Sequence, residues 1–374
     1  MTTPAHPLLD PGQIAPGRFR QLETDVAKLL ETRLEVVMPQ AEAVLPLEAA
    51  ARGLGRAGVR ALNLNTKPYG AAFGRWLSDA GATVIGLEAE GHDAISPEAV
   101  AGALAKEPGI SVVSFVHAEA ASGVRNDAAA IAALSREHGA LTVIDLVASF
   151  GAEEVRLEDW AVDVAVVGPQ KALAGPAGIS IVAVSERAWQ AMATNPSAPR
   201  GSMLSLLDWK QRWLETDKSA IPGTPSPLEI IALEAAVERV AAEGLAEVRL
   251  RHRAAAAASR AGARALGLRP FASDADAALV VTTIAVAPGT DARLLVERAR
   301  SRGEVALSAG IGELASSVVR LDHTGQRARL SVVLEALEAL GGAITGSFEP
   351  HARVRDALAE AERAWAAVQL ATAS

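Results

Sequence analysis

Asp145 and Lys171 are the two residues of this sequence whose types and places most directly imply chemistry. Each lies at or just past a short apolar run, Thr142–Ile144 and Val164–Val167, with the length and composition of a buried strand. Asp145 closes the first run. Lys171 follows the second, inside a loop built from Gly168, Pro169, Gly175, Pro176 and Gly178. Open α/β sheets bind ligands in the crevice outside the carboxyl ends of such strands. A desolvated lysine amine in that position loses its proton and becomes a nucleophile able to form a Schiff base with an aldehyde. The pair therefore points to carbonyl chemistry.

The elements that must carry this pair can be read from apolar periodicity. After an irregular, proline-rich lead (1–17), a helix is expected over 18–32, a short strand over 35–38 and a helix from about 44 to 54. Further strands are expected at 61–65, 83–87, 112–116, 142–145, 164–167 and 179–184, with helices near 71–80, 97–106 and 127–138. That alternation predicts a mostly parallel sheet of seven strands covered by helices on both faces. The connection from 167 to 179 is too short for a helical crossover, so the last strand is expected to run antiparallel. A long helix follows Pro227 to about Leu266, with a break at Gly244. The remainder reads as a second, smaller α/β unit with strands at 279–286, 305–307 and 318–321, helices at 292–300 and 327–340, and a terminal amphipathic helix over 354–370. The expected organisation is a large domain over 18–240 and a small one over 241–374.

Composition narrows the partners. Half of the 374 residues are hydrophobic, enough for a large core, and the net charge of −8 argues against nucleic acid or an anionic membrane as the main partner. With no cysteine, disulfides and thiolate metal sites are excluded. No apolar run is long enough to span a bilayer, and the opening MTTPAHPLLDPGQ has neither a basic region nor an apolar stretch of the secretory kind. A cytoplasmic protein acting on small molecules is the expectation.

D-L-V-A-S-F-G at 145–151 followed by G-P-Q-K-A-L-A-G-P-A-G at 168–178 resembles the class V aminotransferases of the alanine–glyoxylate type. H-A-E-A-A-S-G-V at 117–124 and V-V-R-L at 318–321 fit the same pattern in the same order. The runs 42–50, 68–74, 184–192 and 197–209 resemble, within that family, its pyridoxamine–pyruvate subgroup. The resemblance covers about residues 18–345 and implies the type I aminotransferase fold.

It also implies roles. Lys171 would form the aldimine and move the proton in transamination, while Asp145 would keep the pyridine nitrogen protonated so that the ring acts as an electron sink. Tyr69 would stack on the ring, Glu119 would lie near its substituents, and Gln170 would donate to it or shape the loop. Arg320 matches the arginine that grips the substrate carboxylate, a task suited to the planar guanidinium fork. Thr224 matches a threonine that reaches a neighbouring site across a dimer interface, which implies a homodimer, or a homotetramer built from it. Glu42 carries the sharpest reading. Phosphate-bearing cofactors sit on glycine- and serine-rich turns at helix N-termini. Here the matching turn is Gln40-Ala41-Glu42-Ala43, with a carboxylate in the cradle. A phosphate would meet like charge there, whereas a neutral hydroxymethyl group would find an acceptor.

Three departures from the family pattern stand out: Ala120 in place of a hydroxyl residue, Ile311 in place of a second substrate-binding arginine, and a short N-terminal lead. The expectation is an aminotransferase moving the amino group of pyridoxamine to a small 2-oxo acid such as pyruvate, with the vitamer as substrate and no tightly bound cofactor. The alternatives are a pyridoxal-phosphate enzyme of the alanine–glyoxylate or serine–pyruvate type, with that cofactor on Lys171, and an inactive vitamer-binding relative. No metal is expected.

Overall fold

The computed structural model describes residues 11–89, 93–301, 303–345 and 352–371. Its main feature is a seven-stranded sheet in the order β1-β9-β8-β7-β4-β2-β3. The strands in chain order are β1 Glu35–Val37, β2 Arg60–Asn65, β3 Thr83–Glu88, β4 Ile110–Val116, a two-residue hairpin of β5 Ala118–Glu119 and β6 Val124–Arg125, then β7 Leu141–Asp145, β8 Val164–Val167 and β9 Ile181–Val184. β3, β2, β4, β7 and β8 pair in parallel, and β9 pairs antiparallel with both β8 and β1, as the short 167–179 connection requires. β7, β8 and β9 are buried along almost their whole length, which is why they read as continuous apolar runs rather than alternating ones. Two adjustments concern the start of the chain. The first helix begins at Pro16, where proline fits the first helical position, and residues 1–10 of the expected lead lie outside the described residues.

The long helical segment breaks at Gly244, whose φ of 88° ends the helix Pro227–Glu243 and starts Leu245–Ala265. This second helix gives Val248 to the core around the large sheet and Ala255, Ala258 and Ala263 to a second core. That core packs a four-stranded antiparallel sheet, β10 Arg269–Pro270, β11 Thr282–Ala285, β12 Leu307–Ala309 and β13 Val318–Leu321, in the order β10-β11-β13-β12. The strand expected over 279–286 is shorter because Leu279 donates its N–H to buried Glu153 instead of to a ladder. The strand expected over 305–307 lies at Leu307–Ala309, and the helix expected over 327–340 spans Leu330–Thr345 after a 3₁₀ turn, Gly325–Arg327. The stretch 187–224, which has no clear periodicity, holds the helices Glu186–Ala193 and Leu206–Trp209, the latter running on into a π-helical turn. No helix among the described residues is long and apolar enough to cross a membrane.

Candidate active site

Four of the expected residues follow the carboxyl ends of four neighbouring parallel strands. Tyr69 comes after β2, Glu119 after β4, Asp145 ends β7, and Lys171 follows β8. With Glu42, Ala120, Gln170 and several apolar side chains, Tyr69, Asp145 and Lys171 line one cavity of about 230 Å³. Strand direction and order therefore do what the sequence implied: they place a carboxylate, an amine and an aromatic ring around one space.

Each member is held by its own local structure. Tyr69 opens the helix Tyr69–Asp79, which lies so close on β2 that a Cβ at Gly70 would sit 2.9 Å from the Leu64 carbonyl and one at Gly74 2.7 Å from Asn63 Nδ2. Asn63, buried within β2, donates from Nδ2 to the Gly70 carbonyl at 3.0 Å and accepts from Ser114 Oγ of β4 at 2.8 Å, which pins the helix start to the sheet. Glu119 is completely buried and accepts from the N–H groups of Tyr69 (3.1 Å) and Ala121 (3.2 Å). Burial pushes its carboxyl up to about 8, with the Asp145 charge adding to the rise and the two N–H donors and Arg320 opposing it. Glu119 is thus no solvent-facing strand-end charge. Burial likewise pushes Asp145 up to about 6, with Glu42 adding; the Val147 N–H, donated at 2.8 Å, and the Lys171 ammonium pull the other way.

The Lys171 loop is clamped by the helices on either side of Gly244 and by the turn Gly325–Arg327. Arg239 donates to the Leu173 carbonyl, and Gly325, at φ +60°, comes so near that a Cβ there would lie 2.8 Å from the Lys171 carbonyl and 2.9 Å from Ala174 Cβ. His252 fixes Gly325: its Nε2 accepts the Gly325 N–H at 3.0 Å while Nδ1 donates to the Val248 carbonyl at 2.6 Å. Burial holds His252 down at about 4, so the ring is neutral and can accept. The sequence reading did not include this clamp.

At the other wall, Glu42 sits just before the helix Val44–Leu54. Its Oε2 accepts the Val44 N–H at 2.9 Å, and its Oε1 accepts from Gln170 Nε2 at 2.9 Å. The carboxylate thereby occupies the helix N-terminus, where the dipole and free N–H groups favour an anion. Gln170 Oε1 is buried without a partner, a polar atom aimed at nothing in the protein.

Glu119, Thr224 and Arg320 are not among the residues that line this cavity. Thr224 lines a separate surface cavity with Pro39, Met203 and Trp209, and its carbonyl accepts from Gln40 Nε2 at 3.0 Å. Arg320, on β13, does not line the cavity, but its charge reaches both Tyr69 and Glu119. Ile311 borders a larger, neighbouring cavity of about 580 Å³ with Lys67, Arg75 and Phe271. No cluster of metal-ligating side chains exists among the described residues.

The aminotransferase class-V profile matches residues 20–338. The chain belongs to the class-V aminotransferases. Within the family it is 40% identical over 330 residues to the pyridoxamine–pyruvate transaminase of Mesorhizobium japonicum, covering 88% of this chain and 84% of that one. It is 31% identical over 295 residues, 75% and 71% of the two chains, to a serine–glyoxylate aminotransferase of Methylorubrum extorquens. The crystal structure of the pyridoxamine–pyruvate aminotransferase from Mesorhizobium loti superposes with a TM-score of 0.88 at 35% identity, over 99% of this chain and 92% of that one. The type I aminotransferase fold expected from the motifs is the fold observed, and the protein is an aminotransferase of this class.

Proposed function

We propose that this class-V aminotransferase moves the amino group of pyridoxamine to a small 2-oxo acid such as pyruvate, giving pyridoxal and an amino acid such as alanine. The observation that carries the reading is Glu42. Its carboxylate already occupies the helix N-terminus where a phosphate would otherwise sit, so a phosphorylated ring would meet a fixed negative charge. A neutral hydroxymethyl arm would meet an acceptor. The likeness to pyridoxamine–pyruvate transaminase in sequence and in crystal structure supports the same reading.

The residues divide the work as follows. The pyridine ring, when bound, supplies an electron sink for charge developing at the amino-bearing carbon. Asp145 would pair with the ring nitrogen and keep a proton there; burial raises its own affinity for a proton, and a positive ring nitrogen would oppose that rise. The Lys171 amine would carry the proton between the two carbons that exchange it, would then take the place of the product amino acid's nitrogen on the ring-side carbon, and would be freed from that carbon by water as pyridoxal leaves. Tyr69 covers one ring face, a contact worth about 0.5–1.5 kcal/mol beyond burial. Glu119, protonated near neutral pH, accepts the Tyr69 backbone N–H, and the Gln170 amide donates to Glu42 and holds it in place. Arg320 binds the acid's carboxylate.

The reading places the large domain at 18–240 and the small one at 241–374. It makes the active form a homodimer in which Thr224, remote from its own cavity, serves the neighbouring site. It treats the vitamer as a substrate that leaves, with no resident cofactor. Assay of pyridoxal and alanine formation from pyridoxamine and pyruvate tests it. Turnover that vanishes in Lys171→Ala is expected; no turnover with pyridoxamine, but turnover by the phosphate-loaded protein, would replace it with a pyridoxal-phosphate aminotransferase.

A further inference from the structure

The arginine assigned to the acid substrate is already engaged. Arg320 Nη2 lies 3.0 Å from Asp322 Oδ1, and both side chains are largely buried, at 14% and 18% exposure. Asp322 follows two residues after Arg320, on the same face of the chain as β13 ends. Its position is fixed: Oδ2 accepts from Ser308 Oγ at 2.5 Å, Ser308 stands directly opposite Arg320 in the β12–β13 pair, and the Asp322 N–H is donated to the Ala306 carbonyl at 2.9 Å. Arg320 Nε, by contrast, is buried with no partner.

Guanidinium geometry makes this pairing consequential. A carboxylate grips arginine bidentately along one of two edges, Nε with Nη2 or Nη1 with Nη2. Both edges include Nη2, the nitrogen that Asp322 holds. An acid that enters along either edge bonds to Nη2 or its neighbour and so brings its own negative charge within a few ångströms of Asp322, whose Oδ1 lies 3.0 Å from Nη2. Like charges so close oppose each other, and partial burial weakens the screening by water.

We propose that Asp322 is a built-in competitor for the substrate carboxylate: it weakens the binding of the 2-oxo acid at Arg320 and so sets the acid's affinity without touching the ring chemistry. The proposal rests on the reading of Arg320 as the acid clamp. Because the competition acts on the acid before and during reaction alike, it falls on the acid's KM and Kd rather than on kcat. Ile311, neutral where the motif pattern led us to expect a second cation, offers no compensating charge from its side chain.

Asp322→Asn tests it, since it removes the charge while the amide oxygen can still face Arg320 and the amide NH2 can donate to the Ser308 hydroxyl, which accepts as well as donates. Steady-state assays would vary pyruvate and pyridoxamine separately, with calorimetric titration of the protein by pyruvate alongside. The expected result is a fall of about tenfold in pyruvate KM and Kd, with pyridoxamine KM changed by less than about twofold. Asp322→Ala, which leaves Arg320 with no protein anion, should move pyruvate in the same direction. Pyruvate KM that is unchanged or raised in folded Asp322→Asn overturns the proposal, a rise meaning that Asp322 orients the arginine instead. Arg320→Gln separates the two claims: if it leaves pyruvate KM unchanged, the acid-clamp reading itself fails, whereas a rise of tenfold or more upholds that reading whatever Asp322 does.

Discussion

Around the proposed ring-binding cavity, four side chains follow four adjacent strands of one parallel sheet, and Tyr69, Glu119 and Asp145 are tied down by neighbours in the sheet or its loops. Outside that cavity, at the proposed acid clamp, Arg320 stands on a short antiparallel strand, already paired with an aspartate from its own strand end. Under the proposed function, the first region would hold one ring in one place. The second is a charge balance that one side chain can tilt. The contrast separates what decides the chemistry from what decides how strongly the acid is taken, and it predicts that substitutions in the two regions will have different kinetic signatures.

The largest effect should come from Lys171→Ala, which removes the nucleophile. Turnover should fall by about 10³-fold or more, and the visible absorbance that develops on adding pyridoxal should vanish. Asp145→Ala, in a stopped-flow single-turnover assay, should lower the rate of the chemical step by about 10²-fold while changing the pyruvate dependence little, because it acts at the ring end only. Gly325→Ala joins the two regions. A methyl there would press on the Lys171 carbonyl from a left-handed backbone position, so it should cost about 1–3 kcal/mol in denaturant unfolding and slow turnover at saturating pyruvate. A Gly325→Ala protein with wild-type kcat would show that the turn Gly325–Arg327 does not hold the lysine loop in place.

Much of the ring end was legible because its signals are local. An apolar run that stops at a carboxylate, and a Gly/Pro loop around a lysine, each announce themselves within ten residues or so, as do the helix starts at Pro97 and Pro227. The rest depends on contacts that no window reveals. Glu119 lies on a two-residue strand, and its complete burial follows from the hairpin and the Tyr69 helix closing over it. The His252–Gly325 bond joins residues far apart in the chain, and neither carries a local pattern. Asp322, before a histidine and a threonine, reads as the polar end of a strand; only the register opposite Ser308 turns it toward Arg320. Thr224 shows the limit in the other direction, for its motif matched while its place in a single chain is away from the Lys171 cavity.

The smallest effect concerns stability against pH. Glu119 has a folded pKa of about 8, above the ordinary carboxyl value of 4.5, so its protonated form stabilises the fold at low pH and that contribution is lost as pH rises through about 8. Asp145, at about 6, is mostly ionised before then, and the buried histidines His117, His252 and His323, held down at about 3, 4 and 3, are neutral throughout. Between about pH 7 and 8.5 the unliganded wild type should therefore lose thermal stability with rising pH, and Glu119→Gln should flatten that slope. An equal slope in the variant would remove Glu119 as its cause.

The central claim is that the carboxylate of Glu42 stands where a phosphate would otherwise bind. Titration of the purified protein with pyridoxal and pyridoxal phosphate in parallel, followed by visible absorbance, tests it most directly. Tighter binding of free pyridoxal is predicted, with the preference shrinking by about tenfold or reversing in Glu42→Gln. Tighter binding of the phosphate ester by the wild type would contradict it.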